Sequence, residues 1–202
     1  MLACRYPKYT KTFRVTKKTL ETYVVMEPVV SLYARGKNSM TSNQPLSKST
    51  CTVINKIVNQ TLSRKFNLKK DIGVKYNLAY LDSIFYLVDH NKRKELNGIS
   101  MLSNVNENFI GQPERYGLLI SMIGFYDPNF NPHHNLTRGM STNSIIFNQF
   151  TKPHLVIRLA VIDFELKELV FYDKFITENY DPRLENEIEE LIKRRIRKIY
   201  YK

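Results

Sequence analysis

Leu155 to Asp163 and Leu169 to Phe175 are two runs of β-branched, aliphatic and aromatic residues, parted by the polar group Glu165 to Glu168. Runs of that composition and length, so closely spaced, predict a β-hairpin. The connection has no Asn-Gly or Asp-Gly pair to set the turn. Directly afterwards Asp181-Pro182 opens a helical pattern that continues to the C-terminus. Strand, strand and helix in that order form the edge of a packed α/β domain.

Upstream, Tyr116 to Phe125 is almost continuously apolar, as a central strand buried on both faces must be. Tyr23 to Leu32 reads as the first strand, with Pro28 implying a bulge or an edge position. A polar loop from Arg35 to Ser47 leads to a helix over Thr50 to Phe66, capped by Ser47 or Ser49. Its apolar stripe is Val53, Ile54, Ile57, Val58, Leu62 and Phe66. Leu78 to Asn91 repeats the helical pattern through Leu81, Ile84, Phe85 and Val88, and Lys92-Arg93-Lys94 follows where a helix dipole favours cations. Ser103 to Ile110 reads as a further short helix. The expected fold class is α/β (α+β): a single mixed sheet of about four to five strands packed against about two to three helices. A long loop precedes the C-terminal hairpin and the terminal amphipathic helix.

That last helix is the most explicit in the chain. Asp181 is read as its N-cap and Pro182 as its first residue, and Glu185, Glu187, Glu189 and Glu190 favour its N-terminal end. Leu184, Ile188, Leu191, Ile192, Ile196, Ile199 and Tyr200 form the buried stripe. Glu189 with Lys193, and Glu190 with Arg194, stand at favourable i,i+4 spacing. The basic run from Lys193 to Lys198 is explained by helix electrostatics, although a nucleic-acid contact would use the same residues.

Thirty-one Lys and Arg against 19 Asp and Glu leave a net charge of +12. A balance that basic suits nucleic acid, anionic lipid or an acidic partner without choosing among them. No run reaches the roughly 18 apolar residues of a membrane helix. Residues 1–22 read as a basic, mostly extended arm and 23–202 as one α/β domain.

Chemistry-bearing motifs are absent: there is no GxGxxG, P-loop, HExxH or GxSxG. The expectation is a protein that is not an enzyme, with no catalytic residues, no cofactor and no metal. His133-His134 with Asp127 and His154 are donors of the right type for zinc or nickel, but adjacent loop histidines are ordinarily solvated. Asp163 and Asp173 flank the hairpin without the cleft partner an acid/base pair needs. Cys51 reads as a plain buried or half-buried thiol. Residues 126–152 lack a regular pattern, and loops of that length tend to carry contacts. Tyr126, Asp127, Phe130, His133, His134 and Arg138 are therefore the candidate partner-binding residues.

Met1-Leu2-Ala3-Cys4 matches the tail of a bacterial lipobox, which makes Cys4 the candidate lipidation site. A basic n-region and an apolar h-region would have to lie upstream of Met1; if Met1 is the true start, the protein is cytoplasmic. The order of elements, with Val24 to Pro28, Pro113 to Leu119, Leu159 to Asp163, Val170 to Lys174 and Asp181-Pro182, resembles small uncharacterised envelope lipoproteins of Bacteroides-type bacteria. The layout is also similar to the α/β domains of the curli secretion channel lipoprotein and of the Tol-Pal propeller protein's N-terminal part. The resemblance implies a non-enzymatic module anchored by lipid at Cys4, facing the periplasm and binding an envelope protein or cell-wall partner. The alternative is a cytoplasmic nucleic-acid-binding protein that uses the basic arm and the terminal helix.

Overall fold

The computed structural model describes residues 7–16, 21–36, 39–70, 78–90, 96, 114–129, 153–178 and 180–200. Its centre is β6 (Tyr116–Tyr126), which pairs antiparallel with β7 (His154–Asp163) along ten residues. β7 pairs antiparallel with β8 (Glu168–Thr177), completing the expected hairpin. On the other side of β6 lie β2 (Thr22–Val25) and β3 (Val29–Arg35), both parallel to it. The expected strand from Tyr23 to Leu32 is thus two strands along one edge of β6. The break falls at Met26-Glu27-Pro28, where proline offers no N–H to the ladder, while Met26 N still donates to Leu118 O at 3.0 Å.

Three short strands extend the sheet: β1 (Lys8–Tyr9) on β8, β4 (Met40–Ser42) on β3 and β5 (Asn67–Lys70) on β2. Among the described residues the result is an eight-stranded mixed sheet with four helices, larger than the four to five strands expected. The three additions are two to four residues long, too short for a hydrophobic period to mark. Each exists through its partner.

Alternation along the strands sends side chains to two cores. Leu118, Ile120, Met122, Leu155, Ile157, Leu159 and Val161 meet α2 (Gln44–Leu62) and α4 (Glu185–Tyr200) on one face. Leu119, Ala160, Ile162, Leu169 and Tyr172 meet α3 (Leu78–His90) on the other. Burial on both faces explains the apolar run of β6. Its two glycines sit where a side chain would collide: a Cβ on Gly117 would lie 2.3 Å from Phe164 Cζ, and one on Gly124 2.4 Å from Leu155 Cδ2.

Several boundaries differ from expectation for local reasons. α2 starts at Gln44, because Asn43 Oδ1 accepts from Leu46 N at 3.0 Å and Pro45 occupies the first turn. Ser47 is not the cap; its hydroxyl donates to Asn43 O and accepts from Leu32 N. α4 starts at Glu185, not Pro182. Asp181-Pro182-Arg183 forms a preceding turn, with Asp181 Oδ1 accepting from Arg183 N at 2.9 Å and Glu187 Oε2 from Asp181 N at 2.5 Å. The hairpin turn needs no glycine. Asp163 Oδ1 accepts from Glu165 N and Leu166 N, both at 3.1 Å, and Lys167 takes the left-handed conformation at φ 53°.

The basic arm is corrected most. Residues 8–16 are not an extended tether: β1 is followed by α1 (Lys11–Thr16), and Phe13 is buried between Tyr116 and Phe171. Thr10 Oγ1 accepts from Phe13 N at 3.2 Å, starting that helix. Lys8 is buried as well, its Nζ donating to Val88 O at 2.5 Å. Lysine and tyrosine reach the sheet through their apolar stems and rings. The expected helix at Ser103 to Ile110 lies outside the described residues.

Ile120 is 2% exposed at the middle of the sheet. Ile120→Asp should cost several kcal/mol, since it places a carboxylate without a partner among α2, α4 and β7. Chemical denaturation should register this as a large drop in the transition midpoint. A midpoint within a few tenths of a molar of the parent contradicts the central placement of β6.

Candidate functional site

The described polar groups gather in four places, each at an element junction. The one that joins the most side chains lies under α3. Register pairs Ser121 with Arg158 and Arg158 with Lys174, so two cations are direct neighbours across β7 and β8. Like charges so placed repel. Asp89, one residue before the end of α3, lies between them. Its Oδ2 is 2.6 Å from Lys174 Nζ and 3.8 Å from Arg158 Nη2, and its Oδ1 accepts from Tyr172 OH at 2.9 Å. Arg158 also lies over the Phe85 ring at 5.4 Å. The three charged side chains are 9–18% exposed. Burial, then the nearby Asp89 carboxylate, hold the Tyr172 phenol well above the usual tyrosine range.

On the opposite face Arg195 Nη1 is 3.3 Å from Asp173 Oδ2, and the guanidinium lies 3.5 Å from the centre of the Phe175 ring. At the hairpin end, Arg115 Nη2 meets Asp163 Oδ2 at 2.9 Å and its Nε meets Glu165 Oε2 at 3.1 Å. Hydrogen bonding to Asp163 raises the Arg115 pKa. At the other end of β6, Arg183 Nη2 is 2.6 Å from Asp181 Oδ2, stacks over Tyr126 and donates to Pro128 O.

These pairings account for several expected sites. Asp163 and Asp173 do not form a pair; each faces its own arginine from a different level of the hairpin. Tyr126 and Asp127 are not on an open contact surface. Tyr126 is buried as the last residue of β6, its hydroxyl accepting from Asn43 Nδ2 at 2.5 Å. Asp127, also buried, accepts from Asn129 N at 2.9 Å. Phe130, His133, His134 and Arg138 lie outside the described residues, as does Cys4. His154 stands on β7 with Nδ1 3.8 Å from Glu178, and no metal-holding cluster occurs among the described residues. Cys51 is half-buried, its thiol donating to Pro28 O at 3.2 Å; burial pushes its pKa up, the direction of an inert thiol.

In the terminal helix the Glu189–Lys193 pair forms as expected, whereas Glu190 and Arg194 make no ion pair among the described residues. Arg195, inside the basic run, is buried against Asp173. The Asp89, Arg158, Tyr172 and Lys174 cluster escaped sequence reasoning. Its only trace was one cation in each of two otherwise strand-forming runs.

No family model matches the chain. No curated protein matches it either. Among solved structures, the chain is similar to the PelC dodecamer from Paraburkholderia phytofirmans at 7% identity and a TM-score of 0.37, over 90% of this chain and 88% of that one. It is also similar to a hypothetical protein from Chlamydia trachomatis, at 11% identity and a TM-score of 0.32, over 78% of this chain and 70% of that one. Likeness at that level carries no functional implication.

Asp89→Ala should destabilise the fold by about 3–5 kcal/mol, because it leaves two enclosed cations side by side. Adding Lys174→Met should recover part of that loss, a coupling a double-mutant cycle measures. A tyrosine with a raised folded-state pKa contributes stability that is complete below its ordinary value of 10.0 and is lost as pH rises through the folded value. Thermal midpoints should therefore fall above about pH 10, and Tyr172→Phe should flatten that fall.

Proposed function

We propose that this protein is a non-enzymatic cell-envelope module, lipid-anchored at Cys4 and facing the periplasm, where it binds an envelope protein or a cell-wall component. The observation that carries this reading is the start of the fold: β1 begins at Lys8, so only Arg5, Tyr6 and Pro7 stand between the candidate acylation site and the sheet. Four residues span at most about 14 Å. An acyl group on Cys4 would hold the domain directly against the lipid. Two or three acyl chains anchor durably where one does so marginally.

The alternative, a cytoplasmic nucleic-acid-binding protein, has less to work with. Its richest basic run lies on α4, where Lys193 is held by Glu189 and Arg195 by Asp173. Among the described side chains, Arg194 and Arg197 are the exposed cations there. Phe13 and Lys8 tie its other element, the basic arm, into the domain.

Expressed from its native locus in its own host, the protein should carry a diacyl or triacyl group on Cys4 and partition with the membrane fraction. Cys4→Ser should release it. Intact mass showing an unmodified Met1 overturns the anchor. Binding of duplex or single-stranded nucleic acid should be weak and lost near physiological salt. Submicromolar binding that persists there favours the alternative.

A further inference from the structure

α3 is apolar on more than the side it buries. Leu81, Ile84, Phe85 and Val88 enter the core, yet the adjacent Tyr86 and Leu87 are 62% and 61% exposed. A helix apolar on opposite sides is ordinarily covered on both. Among the described side chains the outward side also holds Asp82, Ser83 and His90, with the His90 ring 3.9 Å from that of Tyr86.

Two contacts fix where this patch lies relative to the N-terminus. Lys8 Nζ donates to Val88 O at 2.5 Å, and Leu96 N donates to Tyr9 O at 3.3 Å. β1 therefore runs beside the C-terminal turn of α3. Cys4 precedes Lys8 by four residues, a reach of about 14 Å. Between His90 and Leu96 the sequence holds Lys92, Arg93 and Lys94 against a single carboxylate, Glu95.

We propose that the β1–α3 side is the surface this protein lays on an anionic bilayer, with Tyr86 and Leu87 seated among the lipid headgroups. This rests on the envelope reading above and adds the face that meets the membrane and a contact independent of the acyl chain. Tyrosine suits the interface because its ring is apolar and its hydroxyl stays wet. Basic residues that follow such a patch directly in the sequence favour anionic lipid. Asp82, the carboxylate on that side among the described side chains, lies one turn before Tyr86 and more than a turn before Leu87, toward the N-terminal end of α3.

The chain contains no tryptophan, so a single introduced one reports alone. Leu87→Trp is compared with Met40→Trp; Met40 is 57% exposed on β4, which hangs on β3 across β6 from the β7–β8–β1 side of the sheet. The full-length, unacylated chain is mixed with vesicles of phosphatidylcholine and phosphatidylglycerol, or of phosphatidylcholine alone. The expected result is a blue shift of Leu87→Trp emission with the anionic vesicles only, and no shift for Met40→Trp. Tyr86→Ser with Leu87→Ser should lower co-sedimentation with those vesicles on the order of tenfold. Lys48→Glu with Lys56→Glu, on the α2 face, should not.

A shift at Met40→Trp instead, or loss of binding in the α2 variant alone, overturns the assignment. So does a stable dimer that the Tyr86→Ser, Leu87→Ser variant abolishes without any vesicle binding, which makes the patch an interface between two copies. Absence of vesicle binding by a protein that is acylated on Cys4 in its host overturns this inference and leaves the envelope reading standing.

Discussion

The attachment of α3 depends on one carboxylate. Arg158 and Lys174 face each other across β7 and β8, and Asp89 is the anion that lets both stay enclosed. The arrangement couples three elements at once: remove the helix and the two strands hold adjacent cations; remove either cation and the helix loses part of its grip. The apolar contacts of α3, through Leu81, Ile84, Phe85 and Val88, supply most of the burial. The Asp89 contacts to Tyr172 and Lys174 fix which residues point inward, and so which point out. An ionic cluster that selects one packing among several is a role for which buried polar groups are suited.

How much of this was legible in the sequence follows from the range over which each signal acts. β6, the β7–β8 hairpin and the stripe of α4 are long enough to show their period, and the structure has them within a few residues of expectation. β1 was illegible because Lys8-Tyr9 has no strand signal of its own and is extended only by pairing with Tyr172 and Phe171. Pro28 did signal an interruption, but not that the chain would resume along the same neighbour. The start of α4 was misplaced because Asp181-Pro182 satisfies every rule for a helix N-terminus while forming the turn before it.

The site was less legible than the fold. Arg158 and Lys174 looked like solitary polar residues in strands, and only the register brings them together under Asp89. Conversely Tyr126 and Asp127, which open a stretch of sequence without hydrophobic period, are fastened by Asn43 and Asn129. Among the described residues, nearly every enclosed charge is matched within the protein. This suits a module whose dealings with other molecules run through its surface.

The pairing of β1 with β8 joins the first described strand to the last. A protein emerging N-terminus first exposes Lys8, Tyr9 and Phe13 long before Phe171 and Tyr172 exist to receive them. Contacts this distant in sequence form slowly, since a large loop must close before they give anything back. For a chain tethered near its N-terminus, the waiting segment would be the part closest to the membrane. The last strand made would then be the one that seats this segment, so that the edge of the sheet closes only once the hairpin is complete.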